Sequence, residues 1–141
     1  MCTRLAVIGL IAAFAAAPAA AEMVNMTAAL SAANEVPPVQ SPANGTAGVV
    51  VNTDTRELRW DVQVQSLSAP LSASHFHGPA AREQNAPVVI PIAKAGDQSP
   101  FKGSTTITPE QMADLLAGRW YVNVHTPSHP PGEIRGQLVK K

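Results

Sequence analysis

Apolar and polar residues alternate along most of this chain with the two-residue period of half-buried β-strands. The clearest run sets Leu58, Trp60, Val62 and Val64 against Arg59, Asp61, Gln63 and Gln65. It follows a turn over residues 52–55 and a valine-rich segment over 45–51. The same reading predicts strands over residues 26–32, 71–77, 87–92, 99–107, 119–125 and 133–139. One segment follows helical rules instead. Thr108 can cap it, Pro109 suits its first position, Gln111 completes a capping box, and Gly118 can close it behind a stripe of Met112, Leu115 and Leu116. Thirteen prolines and nine glycines keep the segments short. The pattern therefore predicts an all-β fold: an antiparallel Greek-key β-sandwich or barrel of about eight strands, with one short helix.

The alternation also assigns faces. Trp120, Val122 and Val124 form one side of their strand, leaving Tyr121, Asn123 and His125 on the other. Phe76 reads as core, so His75 and His77 point away from it. Ile134, Gly136 and Leu138 read as inward, and Glu133, Arg135 and Gln137 as outward. A symmetric hairpin through residues 126–132 sets Asn123 near Arg135 and His125 near Glu133. With the His75 strand beside them, these residues share one solvent-facing surface on this reading, and His77→Ala is expected to cost little stability.

Composition narrows the setting. Residues 1–21 read as an export signal, with Arg4 at the start, an apolar run over 5–17 and the small residues Ala19, Ala20 and Ala21 before the cut. Pro18 and Glu22 end that run before the roughly 20 residues a bilayer crossing takes. The expectation is a periplasmic or secreted protein, with residues 22–141 forming one domain and no membrane span. The one cysteine, Cys2, lies in the signal, so the mature chain has no disulfide and no thiolate, and any metal site must use nitrogen and oxygen ligands. Ten basic residues balance ten acidic ones without a basic run, which leaves nucleic-acid binding unsupported. No Gly-x-Ser-x-Gly elbow, phosphate loop or HExxH helix supports hydrolytic chemistry.

All four histidines fall in two segments, His75 and His77 around Phe76, and His125 and His129 around residues 126–128. Residues i and i+2 of a strand project from one face roughly 7 Å apart, close enough for two imidazoles to share an ion. His75, His77 and His125 are thus candidate ligands for copper, with zinc second, and His129 or Glu133 is a candidate fourth. Tyr121, Asn123, Glu133 and Arg135 would support them. Ordinary polar contacts on a metal-free interaction or scaffold domain, with an envelope or extracellular protein as partner, account for the same residues. A copper-dependent redox enzyme is the third reading.

Four motifs in chain order carry a family resemblance: residues 31–38 (SAANEVPP), 73–80 (ASHFHGPA), 116–126 (LAGRWYVNVHT) and 131–138 (PGEIRGQL). Together they resemble the CHRD (chordin) domain from about Met26 to Leu138, in its small exported bacterial form. The resemblance implies a β-sandwich. It does not carry chordin's growth-factor antagonism, because the cysteine-rich repeats are missing. A more distant likeness to Cu/Zn superoxide dismutase implies copper-ligand roles for His75, His77 and His125, while the absent disulfide and zinc-ligand cluster put the dismutase reaction in doubt.

Overall fold

The computed structural model describes residues 20–141. Cys2 and all but the last two residues of the expected export signal lie outside the described residues. Nine strands form a single antiparallel sheet: β1 (Met23–Ser31), β2 (Asn44–Asn52), β3 (Glu57–Gln65), β4 (Ala73–His77), β5 (Val88–Lys94), β6 (Phe101–Thr106), β7 (Tyr121–Thr126), β8 (His129–Gln137) and β9 (Val139–Lys140). The order across the sheet is β5-β4-β7-β8-β1-β2-β3-β6, with the two-residue β9 added on β1. Its ends, β5 and β6, come close together without pairing, so the sheet curls into a nearly closed barrel. Curling lets each strand bury one face around a shared axis, which is why the period-2 pattern runs through almost every strand.

Inside the barrel, Leu58, Val62, Phe76, Val122, Val124, Ile134 and Leu138 are fully buried. Trp60, expected among them, is only half-buried. Its ring meets Phe76 edge-on at 5.5 Å. The helix α1 (Pro109–Leu116) bears out the capping box: Thr108 Oγ1 accepts from Gln111 N at 3.1 Å and Gln111 Oε1 accepts from Thr108 N at 2.9 Å. Leu115 is buried in the core, and Met112 and Leu116 pack partly against it.

One expectation is corrected. The alternation divides the faces of β4, β7 and β8 as predicted, but the face opposite the core is not solvent-exposed. His77, Tyr121, Asn123, Arg135 and Gln137 are all at least nine-tenths buried. Two segments lie over them, one after β1 and one after β4. A pleated strand specifies which side a residue points to, and only the path of the connecting loops decides whether that side meets water.

Candidate metal centre

The histidine face is built by direct strand pairing. In the β4–β7 ladder His75 lies opposite Asn123, His77 opposite Tyr121 and Ala73 opposite His125, so three imidazoles come from two adjacent strands. Ring centroids stand 5.6 Å apart for His75 and His77, 5.1 Å for His75 and His125, and 6.1 Å for His77 and His125. One nitrogen from each ring lies within 4.8 Å of the other two.

Hydrogen bonds select those nitrogens. His77 Nδ1 lies 2.8 Å from the Ala86 carbonyl and His125 Nδ1 lies 3.0 Å from the Pro130 carbonyl. A carbonyl only accepts, so both rings carry their proton on Nδ1 and leave Nε2 as a lone-pair donor. His75 Nδ1 approaches His125 Nε2 at 3.3 Å. The Nε2 of His77 is buried and has no hydrogen-bond partner. A buried imidazole nitrogen without a partner costs free energy unless something else satisfies it, and an ion bound by all three rings would do so. Burial lowers the pKa of all three. In His75 the neighbouring rings add to that shift, while the Ala86 and Pro130 carbonyls oppose it in His77 and His125. The rings are therefore neutral at pH 7, the form that ligates.

The polar layer behind the triad is tightly packed. The Tyr121 ring stacks on His77 at 5.0 Å with 5° between planes, and the Arg135 guanidinium carbon sits 3.5 Å from the Tyr121 centroid. Arg135 donates to Asn85 Oδ1 at 2.9 Å and to the carbonyls of Gln84 and Ala81 at 2.7 and 3.3 Å, tying down the loop that follows β4. In the same loop, Ala86 N donates to Tyr121 Oη at 3.0 Å and Gln137 Nε2 donates to Ala80 O at 2.9 Å. Arg135 thus fixes the loop whose Ala86 carbonyl orients His77.

Other candidate residues stand apart. Asn123 pairs with Arg135 across β7 and β8, as the symmetric hairpin predicts, but the register shifts between Val124 and Thr126. The Glu133 carboxylate is not among the groups that could share an ion with His125. It is fully buried and bonded to Ser41 Oγ at 2.6 Å, Thr126 Oγ1 at 2.7 Å and Ser68 N at 2.9 Å. Burial pushes this carboxyl's pKa up, but the three donors outweigh that and hold it below the usual value. These three donors hold the carboxylate in the fold, outside the three-ring cluster. His129, at the start of β8, lies outside the three-ring cluster and lines a neighbouring cavity with His77.

Glu35 is the residue the sequence reading missed. It follows the short 3-10 turn Ala32–Asn34, and its Oε1 accepts from Asn123 Nδ2 at 2.6 Å. Burial pushes its pKa up to about 7, against the opposing pull of the Asn123 hydrogen bond and the Arg135 charge. Gly132 makes the contact possible. Its φ is +143°, and a Cβ there would stand 2.7 Å from both Glu35 carboxylate oxygens. The only sequence signal was membership of the 31–38 motif.

Comparison with known proteins adds a family. No curated protein and no solved structure gives a significant match. The family model described as the CHRD domain matches residues 26–138, spanning β1 to β8, both histidine segments and all four motifs. The chain belongs to the CHRD domain family.

Proposed function

We propose that this is an exported, periplasmic or extracellular, CHRD-domain protein that binds copper through His75 Nδ1, His77 Nε2 and His125 Nε2. The observation that carries this reading is the buried, unpartnered Nε2 of His77, in a cluster whose ligand nitrogens lie within 4.8 Å of one another. The protons of His77 and His125 are held on Nδ1 by backbone carbonyls, the arrangement that orients metal-bound imidazoles in general. Three neutral nitrogen donors suit copper or zinc. Copper is placed first because an all-imidazole set without carboxylate or thiolate favours the ion that binds nitrogen most strongly.

Metal analysis of the mature protein, exported from cells grown with copper and with zinc, tests the reading. The expected result is one copper per chain, with nitrogen hyperfine structure in the Cu(II) electron paramagnetic resonance spectrum. Protein that carries no stoichiometric metal and binds none on titration would favour the interaction-domain reading.

A further inference from the structure

A cavity of about 310 Å³ opens beside the triad, with His77 on one wall and Glu35 on another. We propose that it binds a small neutral aromatic alcohol, oriented by Glu35, which delivers one electron through the His77 imidazole to copper. The electron step rests on the copper reading above, while binding in the cavity does not.

Size and lining select the ligand. A cavity of about 150 Å³ is enough for benzene, so this one holds a single substituted ring. Val36, Pro37, Pro130 and Pro131 supply flat apolar walls. Half of the lining residues are polar, and one of them, Glu35, is a carboxylate able to fix a small ligand's orientation. Asn123 holds Glu35 Oε1, and the carboxylate lines the cavity, where its second oxygen would meet a ligand hydroxyl.

Charge selects against anions. The Glu35 carboxylate on the wall repels an anionic ligand. A phenolic O–H can donate to this carboxyl when ionised or accept from it when protonated. With the ring against His77, the electron and the proton have separate acceptors on two sides of one ligand. The phenolic O–H bond breaks, its proton passes to the Glu35 carboxylate, its electron reduces Cu(II) to Cu(I), and a neutral aryloxyl radical leaves.

Two measurements with hydroquinone test this under anaerobic conditions. First, metal-free protein is titrated by NMR. Saturable shifts of residues lining the cavity are expected, with affinity reduced about tenfold or more in Ser128→Trp, where an exposed residue at the cavity wall becomes a plug. Second, Cu(II)-loaded protein is mixed with hydroquinone in stopped flow. The reduction rate should saturate with hydroquinone, and fall about tenfold or more in Ser128→Trp and in Glu35→Gln at unchanged copper content, the size expected when one hydrogen bond to a charged group is lost. Absence of saturable binding to the metal-free protein would overturn the proposal. So would reduction that stays linear in hydroquinone and equally fast in both variants, because that describes collision at the metal rather than docking. Failure of the parent protein to retain copper would sink the metal reading itself, and the first titration would still report on the cavity.

Discussion

His77 Nδ1 and the Ala86 carbonyl lie 2.8 Å apart, and this one contact decides which nitrogen of His77 faces His75 and His125. The carbonyl belongs to the loop that Arg135 holds, so the nitrogen that His77 leaves free is set in part by a residue on β8.

The first prediction follows from that placement. His75→Ala, His77→Ala and His125→Ala should each weaken Cu(II) binding by about tenfold or more, the loss expected when a positioned ligand is removed, while His129→Ala changes it little. Calorimetry on the four variants decides it. Unaltered affinity in both His75→Ala and His125→Ala would end the shared-site idea. His77→Ala carries a cost the sequence did not suggest. It removes the 2.8 Å hydrogen bond to the Ala86 carbonyl, leaves that carbonyl with only the 3.4 Å contact from Tyr121 Oη, and strips a stacking partner from Tyr121, so metal-free stability should drop by about 1–3 kcal/mol.

If the triad holds copper, acid should release it late. Burial lowers the pKa of His75, His77 and His125, so protons compete with copper only at pH values below the ordinary imidazole value of 6.5. The same shifts act on the metal-free fold. A depressed imidazole pKa contributes stability that is present above 6.5 and lost as pH falls through the folded values. Chelator competition across a pH series should give an affinity that is level down to pH 6.5 and then declines. A decline already complete at 6.5 would mean that the rings are not desolvated.

Much of this was legible in the sequence. Period-2 alternation identified the strands because each buries one face in the barrel, and the capping box of α1 could be read because its chemistry is local. The β4–β7 pairing that gathers three histidines was suggested by parity alone. The fate of the opposite face was hidden, since it depends on where residues 32–43 and 78–87 travel, and loop paths leave no periodic trace. Glu133 illustrates the limit. A symmetric hairpin put it beside His125, but the register shifts next to the tight turn and the carboxylate is bonded to Thr126 and Ser41.

The helix provides a check on packing that is independent of the metal. Leu115 is fully buried where α1 meets the barrel, so Leu115→Ala should cost about 2–5 kcal/mol through lost burial and the space left behind. Urea unfolding of the metal-free protein measures it. A cost under about 1 kcal/mol, typical of a surface site, would mean that α1 is not part of the cooperative core.

Glu35 should make the fold less stable as pH rises toward neutral, the opposite of the histidine effect. Its carboxyl is raised from 4.5 to about 7 by burial, so the native state holds a proton that the unfolded chain has already released. The stability this contributes is fully present below pH 4.5 and is lost as pH passes through 7. Glu35→Gln keeps the shape and an oxygen for Asn123 Nδ2, but it has no proton to lose. The variant should match the parent protein near pH 4.5 and exceed it by up to about 3 kcal/mol at about pH 8, the difference that 2.5 pKa units represent. The histidines titrate alike in both proteins and cancel in the comparison. Paired urea titrations at the two pH values give the answer: a stability difference that does not change with pH would show that Glu35 is solvated in the native state, and that the cavity beside His77 is wetter than its apolar walls imply.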